Sequence, residues 1–291
     1  MLRSRRRRSR RLPRLKGLSI GKLIPNFITV SAVCSGLTGI RFAIEGRWDY
    51  AVAAIMLAAI LDTLDGRMAR MLKASSEFGA QLDSLADIVS FGVAPAMVLY
   101  FWSLQEAGGV GWAVTLFFIV CCALRLARFN SMDGKLPPYA FNYFTGIPAP
   151  AGALMALLPV VIVLAFKIDG FSHPAVAGTW TVVMASMMVS RIPTYSFKRI
   201  RVPQVYVLPL LVCVGFLLAG LASFPWKILT AVAVLYLLSL PLSVRSYSRL
   251  RAEAERLHAE GDDAEVAGAA VEESNKSIDK DDPPPPQLRS V

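Results

Sequence analysis

The sequence predicts an all-α fold, that of a polytopic membrane protein with about eight transmembrane helices. Two observations carry that expectation, and a third orients the chain. Of its 291 residues 55% are hydrophobic and 18% charged, with a mean hydropathy of +0.50, too apolar for an ordinary water-soluble domain. The apolar residues also gather into runs of about 17 to 25, the length that crosses roughly 30 Å of hydrocarbon as a helix. The third observation is that Lys and Arg concentrate in alternate connections, which by the positive-inside rule are cytoplasmic.

The chain opens on a basic segment, 1–18, carrying Arg3, Arg5, Arg6, Arg7, Arg8, Arg10, Arg11, Arg14 and Lys16. It reads as a topology determinant lying on anionic headgroups. Nucleic-acid binding would use the same charges but explains nothing further, so no nucleic-acid partner is expected. A short apolar core with a small-residue cleavage site does not follow it, so it does not read as a cleavable signal. The expected spans are 20–43, 48–64, 82–104, 109–127, 146–166, 174–190, 203–223 and 226–244. The second is short unless it continues into the polar segment behind it, and 62–70 is expected to extend that helix beyond the hydrocarbon.

Positive charge falls in alternate loops: Arg67, Arg70 and Lys73; then Arg125, Arg128 and Lys135; then Arg191, Lys198, Arg199 and Arg201. The intervening loops carry little beyond Arg47, Lys167 and Lys227. An even number of spans then puts both termini on the cytoplasmic side. From about Ser246 the composition turns to Arg, Glu, Ala and Asp, ending near four prolines at 283–286. A short amphipathic helix to about His258 and a disordered tail are expected there. The organisation is therefore a basic segment 1–18, a transmembrane domain 19–245 and a cytoplasmic tail 246–291, without internal repeat or second globular domain.

Cys34, Cys121, Cys122 and Cys213 all lie in expected spans without CxxC spacing and read as packing residues. The histidines are His173, in an external loop, and His258, in the tail. A histidine-based triad or zinc site at the aspartates is thereby excluded by inventory.

Asp62, Asp65, Asp83 and Asp87 stand at the ends of two apolar runs. An ionised carboxylate near hydrocarbon costs on the order of 3 kcal/mol even on lenient insertion scales, so something positive must compensate four of them. Asp62 and Asp65 are spaced i, i+3, and Asp83 and Asp87 i, i+4, so each pair shares one helical face. Two such helix ends facing each other make an oxygen-rich cage. Oxygen donors without His or Cys select hard cations, Mg²⁺ or Mn²⁺. Four carboxylates could hold one metal or a pair, and a pair about 4 Å apart is the usual device for phosphoryl displacement. Gly66 lets a backbone approach a phosphate or base closely, Arg70 offers a guanidinium fork, and Ser75 and Ser76 could donate hydroxyls. Two other readings remain at this stage. The carboxylates could form structural ion pairs with Arg67, Arg70 or Lys73, or serve a cation transporter, although transport predicts acids spread through the bilayer depth.

The run Asp62-Thr-Leu-Asp65-Gly66-Arg-Met-Ala69-Arg70, followed by Gly79, Asp83 and Asp87, resembles the signature of the CDP-alcohol phosphatidyltransferases, D-x2-D-G-x2-A-R-x8-G-x3-D-x3-D, at every fixed position. The resemblance implies an integral membrane enzyme with a six-helix core that transfers a phosphatidyl group from a CDP-linked lipid to an alcohol and releases CMP. It implies Asp62, Asp65, Asp83 and Asp87 as ligands of Mg²⁺ or Mn²⁺, two ions being expected, and Asp87 also as general base. Gly66, Arg70 and Ser76 would contact the CDP part of CDP-diacylglycerol, and Asn26 and Thr29 could reach the nucleotide or instead make helix-packing hydrogen bonds.

Further stretches are similar to the family's phosphatidylserine synthase branch. These are Leu23-Ile-Pro25-Asn26-Phe-Ile-Thr29, Asp83-Ser-Leu-Ala-Asp87 running into Ser90-Phe-Gly92-Val-Ala-Pro95, Ala123-Leu-Arg125-Leu-Ala-Arg128-Phe-Asn130, and Phe144-Thr-Gly146-Ile-Pro148-Ala-Pro150. The glycerol-phosphate branch would show Pro and Lys where this chain has Ser84 and Ile88. L-serine is accordingly the expected acceptor, with glycerol 3-phosphate, inositol, inositol phosphate or choline as alternatives. Arg125 and Arg128 are candidates to hold the serine carboxylate, against a role as cytoplasmic anchors. A homodimer in a bacterial-type cell membrane, with its active site facing the cytoplasm, completes the expectation.

Overall fold

The structure, a computed structural model, describes residues 23–74, 76–131, 143–190, 193–195 and 206–241, the side chains of 143–145 and 193–195 excepted. The basic segment 1–18, Ser75, Lys135, Arg191, Lys198, Arg199, Arg201 and the tail 246–291 lie outside the described residues.

Helix α1 (Ile24–Ile44) begins with Pro25 in its first turn, where the missing N–H would have no intrahelical acceptor anyway. Its buried stripe, Pro25, Thr29, Ala32, Gly36, Gly39 and Ala43, repeats every three or four residues and consists of small side chains. Such a stripe lets backbones approach closely. A Cβ on Gly39 would stand 3.1 Å from the Ala51 carbonyl of the next helix, and one on Gly36 3.1 Å from Ser90 Cα. The turn after α1 uses Gly46 at φ +71°, and Arg47 stacks over Phe42 and Tyr50. Helix α2 (Trp48–Met71) then runs 24 residues, about 36 Å at 1.5 Å per residue, longer than the roughly 30 Å hydrocarbon core. Residues 62–70 thus continue the helix, as expected from the sequence.

Ser76 caps α3 (Glu77–Asp87), its hydroxyl accepting from Gly79 N–H at 3.0 Å. Directly after Asp87 the helix widens into a π-helical turn, Ile88–Val93, before resuming as α4 (Ala94–Trp102). Helix α5 (Gly108–Ser131) follows. The expected span 146–166 is two helices, α6 (Ala149–Ala156) and α7 (Leu158–Phe166), bent by 45°. Pro159 supplies the reason, lacking an N–H and crowding the preceding turn. Helices α8 (Pro174–Val189), α9 (Val207–Ser223) and α10 (Pro225–Pro241) complete the described chain. A three-residue antiparallel pair, β1 (Tyr143–Thr145) with β2 (Pro193–Tyr195), is an addition to the otherwise helical fold.

Helical segments therefore stand at all eight expected positions. By length and apolar composition Ile24–Ile44, Glu77–Trp102 and Leu104–Ser131 suffice to cross a membrane, and the bent α6–α7 pair makes a fourth; α8, α9 and α10 are shorter and apolar. The core gathers Ile55, Phe91, Leu99, Phe118, Leu157 and Met188 between these helices. None of the α9 residues is buried, whereas α10 sends Ala233 and Leu240 into the core.

Candidate active site

The C-terminal part of α2 and the end of α3 meet and bring three of the four expected carboxylates together. Oxygens of Asp62, Asp83 and Asp87 all lie within 4.8 Å of one another. Asp65 stands outside that triplet. It is buried, and its Oδ2 accepts the Thr29 hydroxyl at 2.6 Å. Thr29 therefore does what the packing alternative foresaw, tying α1 to α2, and it does so through a carboxylate of the signature.

Packing around the π-helical turn sets the position of Asp87. Ser90 crosses close to Gly36 of α1 and donates to the Ala32 carbonyl at 3.4 Å. On the other side a Cβ on Gly92 would meet Cys122 at 3.3 Å, so α5 lies tight against the turn. Arg125, on α5 one turn beyond Cys122, is thereby brought into electrostatic reach of Asp87. Asp87 Oδ1 and Arg125 Nε are buried, and neither has a hydrogen-bond partner among the described residues. Arg128 differs, since its Nη1 donates to the Val189 carbonyl at 3.0 Å and so fastens α5 to the end of α8.

Beside the carboxylates lies a cleft of about 160 Å³. Asn26, Thr29, Asp65, Gly66, Ser76, Gly79 and Asp83 contribute to its lining. Nothing stands within 4 Å of where a Gly66 Cβ would be, so a side chain there would project unopposed. A Cβ on Gly79 would instead come 3.1 Å from Asn26 Oδ1 and Ser76 Oγ. The cleft thus joins four of the residues expected around a nucleotide, Asn26, Thr29, Gly66 and Ser76, and adds Gly79 of the signature to them. Arg70 is not in its lining, and its Nε donates back to the Gly66 carbonyl at 3.0 Å.

Among the described residues the ion pairs are Arg41–Glu45 and Arg47–Glu45, both at the far end of α1. Neither compensates the aspartates, which removes the structural ion-pair reading for the described residues. An all-oxygen donor set with an unpartnered buried carboxylate oxygen fits a hard divalent cation. Sequence reasoning missed one group here, Tyr236 of α10, whose buried hydroxyl lacks a partner among the described residues and which interacts electrostatically with Arg125. Its position in an apolar run gave no local signal.

The family model described as CDP-alcohol phosphatidyltransferase matches residues 22–192, covering α1 to α8, and a second, described as CDP-alcohol phosphatidyltransferase 2, matches 205–241. Curated relatives named CDP-diacylglycerol--serine O-phosphatidyltransferase include one from Mycobacterium tuberculosis (strain ATCC 25618 / H37Rv), 39% identical over 227 residues, covering 77% of this chain and 79% of the relative. Another, from Helicobacter pylori (strain J99 / ATCC 700824), is 37% identical and covers 62% and 74%. A third, from Bacillus subtilis (strain 168), is 34% identical and covers 60% and 92%.

Proposed function

The chain belongs to the CDP-alcohol phosphatidyltransferase family, and on that premise we propose that it transfers the phosphatidyl group of CDP-diacylglycerol to the hydroxyl of L-serine, releasing CMP. The observation that carries the chemistry is the convergence of Asp62, Asp83 and Asp87 beside a cleft lined by Gly66, Ser76 and Gly79. The choice of serine is supported by the names of the relatives.

Asp62, Asp65, Asp83 and Asp87 would hold Mg²⁺ or Mn²⁺, two ions in this reading. When bound, the cations neutralise charge on the pyrophosphate and lower the pKa of the nearby alcohol. Thr29 orients Asp65 through its hydroxyl. Asn26, Gly66 and Ser76 bound the nucleotide cleft, and Arg70, held by its Nε to the Gly66 carbonyl, supplies charge to the phosphates. Arg125 binds the carboxylate of serine and so aims the hydroxyl at Asp87. Asp87 takes the hydroxyl proton as the serine oxygen bonds to the phosphorus bearing diacylglycerol, and the bond from that phosphorus to the CMP oxygen breaks in line. A free carboxylate is a weak base for an alcohol, so positioning contributes more than proton affinity.

The same reading places the active site, the segment 1–18 and the tail 246–291 on the cytoplasmic side, with the transmembrane domain spanning 19–245 and a homodimer as the assembly. The test is an acceptor panel: purified protein, CDP-diacylglycerol and Mg²⁺ or Mn²⁺ with serine, glycerol 3-phosphate, inositol, inositol phosphate or choline. CMP release with serine alone is expected; preference for another alcohol would replace serine while keeping the chemistry.

A further inference from the structure

Three buried polar atoms, Asp87 Oδ1, Arg125 Nε and the Tyr236 hydroxyl, have no hydrogen-bond partner among the described residues. Asp87 and Arg125 belong to the site above, and the third comes from α10, far later in the chain. Arg125 interacts electrostatically with both Asp87 and Tyr236, so the guanidinium is the group they share.

Helix α10 turns a regular stripe inward: Trp226, Leu229, Ala233, Tyr236, Leu237 and Leu240 recur at three- and four-residue spacing and meet the core. The stripe's other buried polar side chain, Thr230, is satisfied within the helix, its hydroxyl donating to the Trp226 carbonyl at 2.8 Å, and the rest are apolar or an indole. A phenylalanine at 236 would fill the same space without placing a hydroxyl among them. Burying a hydroxyl without a partner is unfavourable, so the oxygen is explained by something it binds. Ser239 is not that partner, since its hydroxyl donates to the Tyr236 backbone carbonyl at 2.6 Å.

We propose that the Tyr236 hydroxyl determines acceptor specificity, donating beside the Arg125 guanidinium to the carboxylate of a small hydroxy amino acid whose own hydroxyl faces Asp87. One guanidinium and one neutral phenol match a single negative charge. A phosphorylated alcohol carries close to two charges, and Arg128 is already engaged with the Val189 carbonyl. An uncharged polyol brings the buried guanidinium no carboxylate to bind, leaving its Nε unpartnered beside Asp87. The inference rests on the serine-acceptor reading and adds to it a residue outside the 22–192 match, within the 205–241 match.

The test uses the full chain in lipid-containing micelles with CDP-diacylglycerol and two acceptors, serine and serinol, in which a hydroxymethyl group replaces the carboxylate. Tyr236→Phe is expected to raise the serine KM by about tenfold or more, the worth of one hydrogen bond to a charged group. The kcat, the KM for CDP-diacylglycerol and the efficiency with serinol should stay near wild type. An unchanged serine KM, or equal losses with serine and serinol, would overturn the inference. So would loss of folded protein on removing this one oxygen, since the hydroxyl would then be structural. A wild-type protein that makes no phosphatidylserine would instead overturn the function reading on which this rests.

Discussion

Thr29→Val isolates the contact that joins α1 to the carboxylate cluster. Valine keeps the β-branched shape, so the change removes one hydroxyl and little volume. The hydroxyl has two acceptors, Asp65 Oδ2 at 2.6 Å and the Pro25 carbonyl at 3.1 Å, and the shorter contact to a carboxylate dominates. Thr29 and Asp65 are each 4% exposed, so only water in the adjoining cleft could replace the lost donor. A hydrogen bond to a charged group contributes about 1.5–3 kcal/mol, which for a chain of this size lowers the midpoint of thermal unfolding by roughly 2–5 °C. If Asp65 holds a cation, losing the group that orients it should also raise the Mg²⁺ or Mn²⁺ concentration for half-maximal activity about 10- to 100-fold. The assay is thermal unfolding of purified protein alongside a metal titration of CMP release, with Thr29→Ser as the control that keeps the donor. A Val variant matching wild type in both midpoint and metal dependence would refute the role given to this contact.

Arg125→Ala should raise the serine KM about 10- to 100-fold, the range for a lost charged hydrogen bond, while the KM for CDP-diacylglycerol stays near wild type; equal effects on both would indicate a role in the fold. Arg128→Ala should lower thermal stability by about 1–3 kcal/mol through the lost bond to Val189, visible as an earlier unfolding midpoint with the serine KM little changed. Gly79→Ala would press a methyl group to 3.1 Å from Asn26 Oδ1 and Ser76 Oγ; kcat/KM for CDP-diacylglycerol should fall about tenfold or more as the cleft shifts, and an unaffected value would remove Gly79 from the nucleotide site.

The carboxylate geometry was legible because helical periodicity acts within a few residues. The i, i+4 spacing puts Asp83 and Asp87 on one face of α3, but Asp62 joins them, and its i, i+3 neighbour Asp65 does not, only through the packing of α2 against α3. The continuation of α2 past the hydrocarbon was legible for the same reason, since polar residues after an apolar run cost a helix nothing outside the membrane. Thr29 was harder to assign. It lies 36 residues from Asp65, and nothing in its own neighbourhood distinguishes a ligand contact from an interhelical one. The π-helical turn after Asp87 leaves no mark on composition, because it follows from how Gly36 and Gly92 admit neighbouring backbone and Cys122. The bend at Leu157 was implicit in Pro159, yet the hydropathy of 146–166 runs on unbroken through it. Tyr236 was invisible, since a tyrosine in an apolar helix gives no sign of what its hydroxyl meets until α10 is placed beside Arg125.

The most direct measurement follows product formation by purified wild-type and Asp87→Asn protein given CDP-diacylglycerol, serine and Mg²⁺ or Mn²⁺, with a chelated control. Wild type should release CMP and phosphatidylserine in equal amounts, and chelation should stop both. Asp87→Asn should retain measurable CDP-diacylglycerol binding with turnover abolished. Near-normal phosphatidylserine formation by Asp87→Asn, or activity indifferent to chelation, would contradict transfer at this carboxylate cluster.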